Sequence, residues 1–391
     1  MTSGKHETLW QAEPHTLAKI EILKGYLNAY FPILGRSKRG QNILLVDGFA
    51  GPGEYTNASE GSPVVALRTA TAALSSLGTA WIAEAVHCIF IEPDKDACGH
   101  LRERLEKVQV HRSVKKLVIE KTFVNGIAEV QQKFPRPFTT ADPLFVFIDP
   151  FGATGVPFEN VAAVLGTPCS EVLINLDSDG IARNFMVAAG EARDKLLTTI
   201  FGDESWRQAL TTADFKTLCQ QVLGLYKQKL RAIRGVEYVF SFEMRGRKDT
   251  LNYHLVFASQ NPLGLEKMKE AMRRIDNSGS YTFSDGHVNQ ITMFRFDHPE
   301  DFAPKLHQQF IGHEVAYLPV ATFALNETPF TNPIQMLRVL HERRQIEVTR
   351  YDPKTKGFSG EHVRTIKFLI ASQPQQGRSR GPQQGGLFDG N

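Results

Sequence analysis

The sequence predicts an α/β protein, a Rossmann-like and mostly parallel sheet followed by a small C-terminal domain. Three observations carry this. Five short apolar runs, Ile43–Asp47, His87–Glu92, Val118–Phe123, Leu144–Asp149 and Glu171–Leu176, alternate with helical stretches, as parallel strands buried on both faces require. A hairpin pattern, Glu237–Arg245 and Leu251–Gln260 around Gly246–Thr250, closes the alternation. Beyond residue 328 both rhythm and charge change. The composition agrees: 391 residues, 42% apolar and 22% charged, suit two or three folded domains and exclude collagen-like or wholly disordered chains.

The chain opens with a helix pattern over Pro14–Leu34, where Leu17, Ile20, Leu23, Leu27, Tyr30 and Leu34 recur at three- and four-residue steps. A basic turn, Arg36–Gly40, leads into the first strand. Helices are expected at Ser62–Leu77, Asp94–Lys107, Ile127–Phe134 and Phe158–Leu165, then as an insertion over 203–234 after the fifth strand, and at Leu263–Ile275. This α/β domain spans about 14–280. Residues 281–327 show no clean pattern and are assigned as a bridge. Over 328–371 a short helix (Pro333–Glu342), a strand (Ile346–Arg350), a Pro/Gly/Lys turn and a final helical or strand-like segment predict a winged-helix-like domain. The remainder, 372–391, is rich in Gln, Gly, Pro and Arg and is expected to be disordered.

Charge and cysteine usage bound the function. The net charge of +3 is uneven: residues from Thr328 onward carry a balance of +5 and the rest −2. A basic end suggests a polyanionic partner, through Arg343, Arg344, Arg350, Lys354 and Lys356, although a solvated basic face would look the same. No apolar run approaches the ~20 residues of a membrane span, and the polar start shows no secretory signal, so a cytoplasmic location is expected. Cys88, Cys98, Cys169 and Cys219 are scattered, and the twelve histidines show no paired-ligand spacing. Neither a disulfide framework nor a metal site is expected.

Three strand ends carry the chemistry. The first is Asp47-Gly48-Phe49-Ala50-Gly51-Pro52-Gly53. Glycines at a strand's carboxyl end let backbone approach a ligand closely, and the G-x-x-G-x-G spacing argues against a dinucleotide fold. The second is Glu92, an acid closing the next strand, where a carboxylate can accept both hydroxyls of a ribose. The alternative is a capping acid before the helix at Asp94. The distance from Asp47 is 45 residues where related folds use ~20; Gly53–Gly61 and Gly78–Ala85 account for the excess. The third is Asp149-Pro150-Phe151-Gly152 at the fourth strand's end. As its resemblance to the tetrapeptides of base-amine methyltransferases implies, Asp149 would accept a base amine's hydrogen, Phe151 would stack the base and Pro150 would fix the turn. Asn125 follows the third strand, where the same resemblance implies an adenine contact. Asn175, Asp177 and Arg183 follow the fifth strand as candidate lining of a substrate mouth.

The first motif resembles the D-x-F-A-G-x-G loop of S-adenosylmethionine-dependent DNA and RNA methyltransferases, and the third resembles the D-P-F-G and D-P-P-[FY] tetrapeptides of enzymes that methylate exocyclic base amines. A parallel body finishing in a hairpin is the element order of class I methyltransferases. The resemblance implies that Asp47, Gly48, Phe49, Ala50, Gly51 and Gly53 hold the methionine part of the cofactor, Glu92 its ribose, and Asn125 and Asp149 complete its site. Taken whole, the N-terminal helix with Lys19 and Tyr26, Asp47–Gly53 with Gly61-Ser62-Pro63, Ile148–Gly152, Leu173–Leu176 through Arg183 and the final domain resemble the three-Cys-motif partner (TcmP) family. That implies a separate partner protein bearing a three-cysteine, iron–sulfur-like motif. The expected function is S-adenosylmethionine-dependent N-methylation of a nucleobase in DNA or RNA. The rival is a catalytically silent protein of the same fold that binds nucleic acid, the three-cysteine partner, or both; methyl transfer to a small molecule or a protein is a third reading.

Overall fold

The computed structural model describes residues 9–58, 60–150, 152, 156–187, 189–287 and 295–370. The expected tail at 372–391 therefore lies outside the described residues, as does Phe151. In chain order the first elements are α1 (Pro14–Ser37), β1 (Ile43–Asp47), α2 (Ser62–Leu77), β2 (Val86–Ile91), α3 (Lys95–Glu106), β3 (Val114–Ile119), α4 (Phe123–Lys133) and the single turn α5 (Arg136–Thr139). Then come β4 (Leu144–Ile148), α6 (Phe158–Leu165), β5 (Ser170–Leu176), α7 (Ser178–Met186), α8 (Glu191–Phe201), α9 (Trp206–Ala209) and α10 (Phe215–Arg231). Strands β6 (Tyr238–Arg245) and β7 (Leu251–Ser259), helix α11 (Pro262–Ile275) and the short β8 (Thr282–Ser284) complete the first unit's sheet.

Those eight strands lie in the order β3-β2-β1-β4-β5-β7-β6-β8. Strands β1 to β5 pair in parallel, and β7 runs antiparallel between β5 and β6. This is the class I methyltransferase sheet, extended by one short strand. β1 and β4, at its centre, are buried along their whole length, because helices cover both faces. One layer of core gathers α1, α2 and α11 around Phe145, Phe257 and Leu255; the other gathers α4, α6 and α10 around Val146, Ile148 and Val172.

The third strand differs from expectation. It runs over 114–119 rather than 118–123, and Phe123 instead opens α4. The cause is position in the sheet. β3 is an edge strand, so Lys115 and Lys116 are exposed, and an apolar run is the wrong signal for an edge. The insertion after β5 is also larger than 203–234, beginning with α7 and α8.

The second unit comprises Pro299–Val320 and Ile334 onward, earlier than the expected start at 328, so 281–327 is not one bridge. Its elements are α12 (Pro299–Phe310), β9 (Glu314–Ala316), the first residues of α13 (Tyr317–Glu327), α14 (Ile334–Glu342), β10 (Ile346–Arg350) and β11 (Val363–Phe368). The sheet order is β10-β11-β9, all antiparallel. Periodicity missed β9 because three residues with one half-buried side chain leave no alternation to read.

Candidate active site

Asp47, Glu92 and Asp149 lie at the carboxyl ends of three adjacent strands, β2-β1-β4. A parallel strand buried on both faces ends at each: Asp47 is the last residue of β1, while Glu92 and Asp149 are the first beyond β2 and β4. The loop after β1 is shaped by glycine. Gly51 and Gly53 take φ of +57° and +82°, a region L side chains avoid. A Cβ at Gly48 would sit 2.6 Å from the Phe123 ring. Phe123 in turn stacks on Phe49, centroids 5.5 Å apart, so the loop is packed from below by α4.

Asp47 is almost wholly buried. Its Oδ1 accepts from the Phe49 N–H at 3.3 Å, while Oδ2 has no partner. Burial pushes its carboxyl up to about 7, against the nearby Ser62 hydroxyl and the Phe49 N–H, which favour its ionised form. Glu92 is anchored at both oxygens: Oε2 accepts from the Gly51 N–H and Oε1 from the Asp94 N–H, each at 2.9 Å. Burial is again the leading effect and raises its carboxyl. Asp94, not Glu92, caps α3, accepting from the Ala97 N–H at 2.7 Å. Asn125 lies exposed on the first turn of α4.

Asp149 is not a free carboxylate. Lys19 of α1 places its ammonium 2.7 Å from Oδ1 and 2.5 Å from Oδ2, and Asn175 of β5 donates Nδ2 to Oδ1 at 2.8 Å. Lys19 is 5% exposed and lies 5.4 Å from the Tyr253 ring centroid. Asn175, with Nδ2 turned to Asp149, keeps Oδ1 as a buried acceptor with no partner. The adjoining cleft, about 300 Å³, is walled by His15, Pro150, Asn175, Asp177, Arg183 and Tyr253 among others. Asp177 caps α7 through the Gly180 N–H at 2.8 Å, and Arg183 pairs with Asp179.

Two site residues escaped sequence reasoning about chemistry. Lys19 falls in helical register with Tyr26 and Tyr30 on the buried side of α1, and a lysine in a buried stripe was the available signal. Tyr55 sits in the stretch 53–61 read as excess length. Burial first, then the charges of Asp149 and Asp47, hold its phenol proton on. Its loop is fastened to the N-terminal segment: the Thr56 N–H donates to the Trp10 carbonyl at 3.1 Å, and Asn57 exchanges two hydrogen bonds with Ala12.

In the second unit Arg343 and Arg344 are exposed after α14, and Lys354 and Lys356 are exposed in the loop between β10 and β11. Arg350 is different. Its guanidinium lies 5.1 Å from the Phe358 ring centroid and donates to the Gly357 carbonyl at 3.2 Å, bracing that loop from within.

No protein-family model and no curated protein matches the chain. Several solved structures align with the chain. Trm1 from Pyrococcus horikoshii, in complex with S-adenosyl-L-methionine, aligns over 93% of this chain and 94% of its own at 9% identity and a TM-score of 0.39. The O-methyltransferase from Bacillus cereus in complex with SAH aligns over 60% and 79% at 12% identity and a TM-score of 0.34. TomG, an O-methyltransferase from Streptomyces achromogenes solved with SAM, aligns over 59% and 78% at 17% identity and a TM-score of 0.32.

Proposed function

We propose that the protein is an S-adenosylmethionine-dependent methyltransferase acting on an exocyclic amine of a nucleobase in DNA or RNA. The observation that carries this is the unpartnered Asn175 Oδ1 beside Asp149 at the strand rim. An amine that donates two N–H groups matches two neighbouring acceptors, Asn175 Oδ1 and the remaining lone pairs of Asp149.

The residues also fit the cofactor. The buried Asp47 Oδ2 lacks a donor, which an amino-acid ammonium would supply. The loop 48–53 offers backbone without side chains at three positions, and Glu92 retains one lone-pair direction on each anchored oxygen for ribose hydroxyls. When bound, S-adenosylmethionine supplies an electrophilic sulfonium methyl. Everything else falls to this chain. Accepting both N–H groups turns the amine's lone pair toward the methyl, and Asp149 stabilises the positive charge that develops on nitrogen. Lys19 and Asn175 hold Asp149 in that orientation. Phe151 is assigned to stack the base on the strength of its motif.

The second unit's order, helix–strand–helix–helix–strand–strand, supports reading it as a winged helix that grips the phosphate backbone through Arg343, Arg344, Lys354 and Lys356. The TcmP resemblance further assigns the protein a separate three-cysteine-motif partner. Methyl-labelled cofactor incubated with total RNA and DNA, followed by nucleoside digestion, tests the reaction. Label in an N-methylated base supports it; label only in protein, only on oxygen, or nowhere overturns it.

A further inference from the structure

A second polar cluster lies at the opposite edge of the sheet from the three carboxylates. It surrounds a cavity of about 80 Å³ at the beginnings of β4 and β5, walled by α1 and the start of α11. Most of the lining is apolar, with Ile33, Leu34, Pro143 and Leu263 contributing. Glu171 at its floor is satisfied at both oxygens, accepting from the Tyr26 and Ser259 hydroxyls. Tyr30 is not satisfied. Its ring is 7% exposed and its hydroxyl has no partner. A buried O–H without an acceptor is a standing free-energy cost, unless something in the cavity accepts from it.

Cys169 lies on the same cavity and is set apart from the other cysteines. It is the one that is not buried, and Lys38 directs its ammonium onto Sγ at 3.1 Å. Cys88, Cys98 and Cys219 are buried, and burial pushes their thiols up, Cys88 to about 12 and Cys98 to about 11. Thiolate is the nucleophilic form, and a neighbouring cation with partial exposure is what marks a reactive cysteine. Cys169 also holds φ of +61°, a left-handed conformation that is uncommon for a residue with a side chain.

We propose that this cavity is a redox-modification site, where a hydroperoxide oxidises Cys169 to the sulfenic acid. The Cys169 thiolate attacks one peroxide oxygen; the O–O bond breaks as the S–O bond forms. Sulfur loses two electrons, the peroxide gains them, and the departing oxygen leaves as hydroxide or alkoxide and takes up a proton to become water or alcohol. Lys38 holds the attacking thiolate. The unpartnered Tyr30 hydroxyl donates to the oxygen that gathers charge as it leaves. A small, mainly apolar cavity with the Tyr30 hydroxyl free to donate suits a peroxide, and the chemistry is independent of the methyl-transfer reading.

The full-length protein, treated with hydrogen peroxide in the presence of dimedone and mapped by mass spectrometry, gives the test. Sulfenic acid is expected at Cys169 at least tenfold faster than at Cys88, Cys98 or Cys219. Tyr30→Phe removes only a hydroxyl that bonds to nothing, so the fold should be kept. It should slow peroxide oxidation about tenfold while leaving alkylation of Cys169 by iodoacetamide within twofold, because iodide needs no proton donor. Lys38→Met should slow both reactions. Oxidation of Cys169 no faster than of the buried thiols would overturn the proposal, and so would a Tyr30→Phe protein oxidised at the unaltered rate.

Discussion

Asp47 couples the cofactor crevice to pH. Its carboxyl, pushed up to about 7 by burial, is largely protonated below that value, yet an incoming ammonium needs it ionised. Affinity for S-adenosylmethionine should therefore rise about tenfold between pH 6 and pH 8, and Asp47→Asn should bind weakly with this rise abolished, as calorimetry across that range will show. The free protein has the opposite sign. A carboxyl raised above its unfolded value contributes stability that is present at low pH and lost as pH climbs through about 7. Asp149 poses a different residue-scale problem, since its removal strands the buried Lys19 ammonium. Asp149→Ala should cost roughly 3 kcal/mol in denaturant unfolding, and adding Lys19→Met should recover part of it. Asp149→Asn combined with Lys19→Met removes both charges together and keeps most of the packing, so it separates the chemistry from the stranded ammonium. It should lower kcat ~100-fold or more with cofactor affinity within a few-fold.

The element that organises the site is α1, a helix outside the usual alternation of strands and helices. It serves the sheet twice, at opposite edges. Near its start Lys19 engages Asp149 at the carboxyl end of β4, and two turns later Tyr26 donates to the buried Glu171 near the beginning of β5. The same helix packs against α2 and α11 around Leu23, Leu27 and Phe31. Apolar burial fixes its position, and the two polar contacts fix its register. Tyr26→Phe tests this, for it leaves Glu171 with Ser259 as its remaining donor. A loss of about 1–3 kcal/mol in urea-induced unfolding is expected, with cofactor affinity unchanged because the crevice lies at the other edge.

For the whole molecule, nucleic-acid affinity is assigned to the second unit, whose start at Pro299 changes how it must be tested. Truncation at residue 328 would remove α14, β10 and β11 and leave β9 without the strand it pairs with. Charge removal in the full chain avoids that damage. Replacing Arg343, Arg344, Lys354 and Lys356 with Ala should flatten the salt dependence of binding, by about 0.9 for each phosphate no longer neutralised on duplex DNA or ~0.7 on single strands. Arg350→Ala should instead lower the thermal stability of this unit and leave the salt slope nearly unaltered, since that guanidinium is engaged with Phe358 and Gly357. A fluorescence titration at several salt concentrations separates the two outcomes.

The sequence by itself determined whatever is written locally. The central strands, the glycine loop after β1, and the acids ending β1, β2 and β4 are each complete within a few residues, because a buried parallel strand is apolar throughout and its exit must be polar or glycine. The local code failed where burial departs from that rule. β3 sits at an edge and carries lysines, and β9 is too short for any pattern. The tertiary structure alone decided the partners. Lys19 and Asp149 are 130 residues apart, Tyr26 and Glu171 145, and Lys38 and Cys169 131. Periodicity reports which face of a helix is buried but carries no information on what waits across the interface. A lysine in a buried stripe announces that a partner exists; only the packing of α1 across the sheet shows that the partner is the carboxylate at the end of β4.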